Sequence, residues 1–234
     1  MSAERETGSL IEGARPRRRR AALFDMDRTL LRVETVSLYV KHQRRTGEAT
    51  WKDAVKASYW LLQYTFGVLD APRVADKVLV GLRGMPETVL AARCDDWFRE
   101  YVERHITDAG RLAVRKHQEA GDVCAIVTAA SPYASRPLAS ILGIEHLVSS
   151  VFEVDEKGLF TGRAEKPLCI GEGKLTRAER LAEQLDFDLG DAIFYTDSIQ
   201  DLALIEKVGE AVCVNPDPRL RRLAKKRGYR VEKW

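Results

Sequence analysis

Short apolar runs alternate with helical stretches along most of the chain. The first run begins at Ala21 and leads directly into acidic residues, as a buried parallel strand does at its carboxyl end. Strands that alternate with helices predict a parallel sheet with helices on both faces. Further strands are predicted at 123–128, 192–196 and 211–214, and helices at 108–120, 133–142, 174–185, 199–208 and 218–227.

The segment between the first two predicted strands has a different pattern. It shows helical periodicity from 35 to about 104, with breaks at 46–47, 67, 71–72 and 84–86 and no strand pattern. The sequence therefore predicts an α/β fold, a Rossmann-like parallel sheet with an inserted α-helical bundle cap. We expect a flexible basic tail at 1–20, a core domain at 21–34 and 105–234, and a cap domain at 35–104. A strand and hairpin are predicted over 147–160, with the turn at 155–158.

The charge distribution narrows the classes of partner. The net charge is +3, and much of the excess lies in five arginines between positions 15 and 20. The rest of the chain is close to neutral, so no broad electrostatic footprint for nucleic acid is present. We interpret the arginine run as a solvated N-terminus, and a weak contact with anionic lipid or another polyanion is the alternative.

Cysteine spacing and hydropathy bear on the compartment. The four cysteines are widely separated and form no CxxC pair, so neither structural zinc nor a redox pair is predicted. Reduced thiols fit a cytoplasmic protein. The most apolar helical stretch, 57–69, is too short to span a bilayer, so no stable membrane insertion is expected.

Acidic side chains come after two of the predicted strands. Asp25 and Asp27 lie two residues apart, so in extended backbone both point into the same space. Two close carboxylates repel each other, which suits chemistry where one attacks and the other donates a proton. Asp197 and Asp201 come after a later strand, on one face of an opening helical turn. Because carboxyl ends of parallel strands meet at one edge, the four carboxylates predict a Mg²⁺ site.

Two further features suit an anionic substrate. Thr128 ends a predicted strand and is followed by the small residues Ala129 and Ala130, so a hydroxyl and approachable backbone amides are available to phosphate oxygens. Lys174 lies at the start of a predicted helix, where its charge can offset that of the substrate and the nucleophile. These residues predict a phosphate-binding group.

The order of these motifs resembles a known family. DxDxT at 25–29, a strand ending in threonine at 128, a lysine at 174 and DSxxD at 197–201 occur as in the haloacid dehalogenase superfamily. The chain is most similar to the phosphoserine phosphatase-like branch, which has a helical cap between the first and second motifs. The resemblance extends from residue 21 to the C-terminus, and it implies a Mg²⁺-dependent phosphatase acting on a small phosphorylated metabolite.

The resemblance also implies residue roles. Asp25 would form an aspartyl-phosphate, and Asp27 would protonate the leaving oxygen and then activate water. Mg²⁺ would be held by the carboxylates of Asp25 and Asp197 and the backbone carbonyl of Asp27. Asp201 would be a water-mediated ligand or the partner that orients Lys174. In the lysine role the alternative is Lys166, and Thr29 is expected to brace the loop by a hydrogen bond.

The predicted cap leaves the substrate open. Glu34 occupies the place where phosphoserine phosphatases have an acidic residue that faces the substrate ammonium. An acidic residue at this place also suits a helix N-terminus, because the helix dipole favours negative charge there. Val78 stands where those enzymes have an arginine, so Arg83, Arg73 or Lys77 would have to replace it. Phosphoserine, histidinol phosphate and other phosphomonoesters are therefore all candidates.

Other activities compatible with these motifs differ in the fate of the phosphoryl group. A phosphotransferase would pass it from the aspartyl-phosphate to an alcohol, and a catalytically idle protein of the same fold would only bind phosphate. Receiver domains also combine acids, threonine and lysine around Mg²⁺, but they are shorter and lack a helical insertion. The sequence does not determine the oligomeric state.

Overall fold

A computed structural model describes residues 19–45 and 71–234 of the 234-residue chain. Most of the predicted basic tail, the predicted breaks at 46–47 and 67 and the apolar stretch at 57–69 lie outside the described residues. Within the described ranges, no helix combines the length and the apolar character that crossing a membrane requires.

A six-stranded parallel sheet forms the centre of the structure, in the order β3-β2-β1-β6-β7-β8. The strands in this sheet are β1 Ala21–Phe24, β2 Val123–Val127, β3 His146–Val148, β6 Ile193–Thr196, β7 Glu210–Val214 and β8 Arg230–Glu232. The predicted α/β class with a parallel sheet is confirmed. β8 was not predicted, because two of its three residues are charged and the strand gives no apolar run.

Both faces of the central strands are buried, which explains the continuous apolar runs. In β1, Ala22 and Phe24 belong to the apolar cluster on one face, and Ala21 and Leu23 belong to the cluster on the other. Because neither face meets water, no polar alternation is seen in this strand. The sheet is therefore covered by helices on two sides.

The described helices alternate with the strands as expected. They are α1 Thr35–Arg45, α2 Ala71–Leu82, α3 Glu87–Trp97, α4 Asp108–Glu119, α5 Pro132–Leu142, α6 Glu172–Leu185, α7 Leu202–Ile205 and α8 Pro218–Arg227. α1, α2 and α3 fall in the predicted helical insertion, and the other five fall where the predicted core has its helices.

An antiparallel hairpin, β4 Phe152–Val154 and β5 Phe160–Ala164, lies outside the main sheet. Its turn is where the sequence predicted it, with Gly158 at φ 75°. The predicted strand and hairpin over 147–160 are confirmed, because the strand is β3, in the main sheet, and the hairpin is formed by β4 and β5. The second hairpin strand extends to residue 164.

The hairpin packs against helix α2 of the predicted cap. Leu79 on α2 is buried in one cluster with Ala164 and Leu168. Arg83, just after α2, donates from Nε to the carbonyl of Thr161, 3.1 Å away. The contact joins segments from both predicted domains, and the domain boundaries remain a prediction.

Candidate active site

The sheet register brings three of the predicted site residues to one edge. Phe24 in β1 is aligned with Ile126 in β2 and with Tyr195 in β6. Asp25, Thr128 and Asp197 come one or two positions after these aligned residues, at the carboxyl ends of neighbouring strands. The arrangement results from the parallel topology, which gathers strand ends at one edge.

A buried lysine connects two of the carboxylates. Lys174 Nζ lies 2.8 Å from Asp25 Oδ1 and 2.7 Å from Asp201 Oδ1, and all three residues are buried. The other oxygen of Asp201, Oδ2, accepts a hydrogen bond from Thr196 Oγ1 at 2.6 Å. Both oxygens of Asp201 are thus engaged. Of the two roles expected for Asp201, this geometry favours the partner of Lys174 over a metal ligand.

Asp27 points away from this ion pair, toward the start of helix α1. Its Oδ1 accepts from the backbone N–H of Thr35 at 3.1 Å and its Oδ2 from Thr35 Oγ1 at 3.0 Å. The backbone of Asp27 is extended (φ −71°, ψ 134°) inside the wide turn Met26–Leu30. Thr35, the first residue of helix α1 in the predicted cap, therefore holds the Asp27 carboxyl group. The sequence did not indicate this contact.

Burial and mutual repulsion shift the pKa values of the acidic residues. Burial raises the pKa of Asp25 to about 6, and the nearby charge of Asp201 adds to this while Lys174 opposes it. Burial, followed by the charge of Asp25, raises the pKa of Asp27 to about 7. The pKa of Asp197 is raised to about 9, first by burial and then by Asp25 and Asp201. Burial alone would lower the pKa of Lys174, but Asp201 and Asp25 raise it well above its ordinary value.

An arginine in the first motif lies at the rim of the site. Arg28 has left-handed backbone (φ 56°), and its Nε lies 3.3 Å from Asp197 Oδ2. Its Nη1 lies 3.4 Å from Glu34 Oε1. Arg28 is half exposed, so these ion pairs are weaker than the buried one. The pair brings Glu34 to the rim, and Arg28 is a functional candidate that the sequence reasoning missed.

The loop after β2 has the form of an anion-binding turn. Thr128 is buried, and its Oγ1 accepts from the backbone N–H of Ala130 at 3.1 Å. Ser131 caps helix α5 by accepting from the N–H of Ala134 at 3.2 Å. Ala129 between them is exposed. The loop thus leads into a helix N-terminus at the same sheet edge as Asp25, where backbone dipoles favour negative charge.

A family model described as haloacid dehalogenase-like hydrolase matches residues 22–206, which is most of the chain. The chain belongs to the haloacid dehalogenase-like hydrolases. The resemblance seen in the order of the sequence motifs is thereby confirmed.

Two relatives of this hydrolase are phosphatases. A histidinol-phosphatase of Neisseria meningitidis is 29% identical over 215 residues, which cover 90% of this chain and 96% of the relative. A phosphoserine phosphatase of Mycobacterium tuberculosis is 29% identical over 217 residues, which cover 90% of this chain and 70% of the relative. The prediction that this chain is a phosphatase of the haloacid dehalogenase-like family is confirmed.

Solved structures agree on the fold of this hydrolase. A protein of unknown function from Bordetella pertussis superposes with a TM-score of 0.81 and 33% identity, covering 92% of this chain and 98% of that one. A phosphoserine phosphatase solved as an analogue of its phospho-aspartyl intermediate gives a TM-score of 0.66 at 19% identity, covering 88% and 91%. The second likeness is evidence for the fold alone.

Three residues singled out in the sequence make no hydrogen bond or ion pair with the site carboxylates among the described residues. Arg83 donates a hydrogen bond to the hairpin. Among the described residues, it makes no ion pair with the cluster of four acidic residues, Asp25, Asp27, Asp197 and Asp201. Lys166 pairs with Asp76 at 2.6 Å with both side chains about half exposed, so it does not join the cluster. The hydroxyl of Thr29 is buried without a hydrogen-bond partner among the described residues, so the expected bracing bond is absent there.

The donor set of this hydrolase fits Mg²⁺ through few protein ligands. Among residues 19–45 and 71–234, no three acidic, histidine or cysteine side chains converge closely enough to enclose a metal alone. Asp25 and Asp197 are nevertheless close enough for the charge of one to raise the pKa of the other. Mg²⁺ is commonly bound by one or two carboxylates, with waters and substrate phosphate completing the octahedron. Two oxygen donors of this kind are compatible with the ion.

Proposed function

We propose that this hydrolase is a Mg²⁺-dependent phosphomonoesterase that acts on a small phosphorylated metabolite through an aspartyl-phosphate on Asp25. The observation that carries the proposal is the buried Lys174, which contacts Asp25 while Asp27 is held aside by Thr35. One carboxylate is thus kept beside a cation, and its neighbour is kept free of it. That difference is what nucleophile and acid require.

Asp25 is the nucleophile in this proposal. Lys174 favours the ionised form of Asp25, which is the form that attacks. The attack forms a bond between an Asp25 oxygen and phosphorus and breaks the bond from phosphorus to the alcohol oxygen of the substrate. The positive charge of Lys174 also offsets negative charge on the transferring phosphoryl group.

Asp27 acts as the acid and then as the base. With a pKa of about 7, it holds a proton on a substantial fraction of molecules near neutral pH. That proton passes to the alcohol oxygen as it leaves. Asp27 then takes a proton from the attacking water, which releases inorganic phosphate and restores Asp25. The two hydrogen bonds from Thr35 hold the carboxyl group during both steps.

The phosphoryl group is bound by the loop after β2. The Thr128 hydroxyl, the backbone amide of Ala129 and Lys174 contact its oxygens, and the N-terminus of α5 adds a favourable dipole. Mg²⁺ would be held by the carboxylates of Asp25 and Asp197 and the backbone carbonyl of Asp27. The ion supplies charge stabilisation for the phosphoryl oxygens.

The substrate is proposed from the relatives and from the rim. The two relatives act on histidinol phosphate and phosphoserine, both of which carry an amine in the leaving group. Glu34 is the acidic residue at the rim, and Arg28 pairs with it. An amine would therefore compete with Arg28 for Glu34, so we propose a metabolite with an amine and do not restrict it to phosphoserine.

The activity is tested with p-nitrophenyl phosphate, phosphoserine and histidinol phosphate, each with Mg²⁺ and with excess EDTA. We expect turnover with Mg²⁺ and its loss in EDTA, and undiminished turnover in EDTA would contradict the proposal. Asp25→Asn, which keeps the shape of the side chain, should be inactive and folded. A phosphotransferase is distinguished by adding glycerol, because it would release less inorganic phosphate than p-nitrophenol.

A further inference from the structure

Asp217, which directly precedes helix α8, bonds to two separate parts of the chain. Its Oδ1 accepts from the backbone N–H groups of Arg219 and Leu220 at 2.7 and 2.9 Å, which caps α8. Its Oδ2 accepts from the backbone N–H of Ile199 at 2.7 Å. Its own backbone N–H donates to the carbonyl of Asp197 at 2.8 Å.

The contacts to residues 197 and 199 exceed what a helix cap needs. One side-chain oxygen is sufficient to satisfy the free N–H groups at a helix start, and here Oδ1 does so. Oδ2 instead binds the loop Asp197–Ile199, which the Asp217 N–H holds from its other end. A single residue thus fixes the backbone on both sides of Ser198, directly next to the Asp197 side chain.

We propose that Asp217 is a positioning residue for the proposed metal ligand Asp197. By holding the carbonyl of Asp197 and the amide of Ile199, it fixes the direction in which the Asp197 carboxylate leaves the loop. The turn Ile199–Asp201 begins at the same amide, so Asp217 also steadies Asp201, which forms an ion pair with Lys174. The inference rests on the proposed function, since it assumes that Asp197 binds Mg²⁺.

The substitution Asp217→Ser separates the two roles. Serine caps helices about as well as aspartate, so α8 keeps its cap. The serine hydroxyl is one atom shorter and is a single group, so it does not reach Ile199 while it caps. The matched control is Asp188→Ser, which removes the same charge. Asp188 is exposed, and its Oδ1 accepts a hydrogen bond from the backbone N–H of Gly190 at 2.8 Å.

The readout is the Kd of the full chain for Mg²⁺ by isothermal titration calorimetry, with thermal unfolding measured in parallel. For Asp217→Ser we expect Mg²⁺ binding about 10-fold weaker, as for groups that orient metal ligands, at a nearly unchanged Tm. Asp188→Ser should bind Mg²⁺ as the wild type does. The difference should persist at about 0.5 M KCl, where the screening length is about 4 Å and the lost charge contributes little.

The outcomes separate this inference from the proposed function. A wild type that does not bind Mg²⁺ overturns both. A wild type that binds Mg²⁺, with the same Kd for Asp217→Ser, overturns only the role of Asp217, as does a difference that vanishes in KCl. If Asp217→Ser lowers the Tm by several degrees, Asp217→Asn replaces it. Asparagine also caps well and presents an amide N–H to Ile199, and an unchanged Kd in that variant likewise overturns the inference.

Discussion

Replacing Lys174 by methionine removes the cation that two buried carboxylates share. The side chain of Lys174 is 4% exposed, and those of Asp25 and Asp201 are 10% and 4% exposed. Lys174 Nζ lies 2.8 Å from Asp25 Oδ1 and 2.7 Å from Asp201 Oδ1. At these distances the Coulomb energy of each pair is about 6 kcal/mol with an effective dielectric constant of about 20, before the cost of dehydrating the charges. Breaking such a buried pair by removing one partner costs about 3–5 kcal/mol, because the remaining charges are left uncompensated.

For a domain of this size, that loss corresponds to a fall in Tm of about 6–20 °C. The assay is urea unfolding, which measures the free energy of unfolding directly. It is done in EDTA, so that no divalent ion takes the place of the lost cation. The matched control is Lys166→Met, whose lysine pairs with Asp76 in solvent, with 55% and 52% of the side chains exposed. An exposed pair contributes about 0–1 kcal/mol, so the control should be nearly as stable as the wild type.

Turnover provides a second comparison between the two lysines. Lys174→Met should lower kcat by about 10²–10³, the usual loss when one charge-stabilising donor is removed. Lys166→Met should retain its activity. The reasoning is refuted if the two variants lose similar stability, or if Lys166→Met is the one that loses turnover.

Three further predictions concern Asp27, its hydrogen-bond donor Thr35, and three buried cysteines. Asp27→Asn should lower kcat by about 10²–10⁴ for alkyl phosphates and by much less for p-nitrophenyl phosphate, whose leaving group needs no proton; equal losses would contradict the acid role. Thr35→Val should lower kcat about 2- to 10-fold, the value of one hydrogen bond to Asp27, whereas Thr35→Ser should restore it. Because burial raises the pKa of Cys94 and Cys213 to about 11 and that of Cys124 to about 12, these thiols should react slowly with iodoacetamide at pH 8, faster as the pH rises, and at ordinary rates in urea; rapid labelling of the folded chain would contradict this.

The sequence was informative where chemistry comes directly after a strand. Asp25, Thr128 and Asp197 each lie just after an apolar run, and parallel strands gather such positions at one edge whatever the rest of the fold does. The preference for Lys174 over Lys166 also agrees with the structure, since only Lys174 contacts the carboxylates. That preference rested on the lysine opening a helix that leads into the strand before Asp197.

Contacts between distant segments were not predictable in this way. Asp217 resembles an ordinary helix cap in the sequence, and its bond to Ile199 arises only because α8 starts beside the Asp197 loop. Thr35 lies where any helix could begin, and its bond to Asp27 depends on the turn at Met26–Leu30. Arg83 was expected near the substrate, but its side chain bonds to a hairpin about eighty residues further along the chain.

The packing of the β4–β5 hairpin on helix α2 has a consequence for attempts to isolate the sheet by deleting residues 35–104. Phe160 is buried in one cluster with Leu90 and Cys94, and Ala164 in one cluster with Leu79, and all three partners belong to the deleted segment. Deleting these helices would therefore expose the hairpin residues to water as an apolar strip beside an unpaired strand edge. An apolar strip next to an unpaired edge promotes self-association. A soluble minimal version of this enzyme would have to shorten the hairpin at the same time.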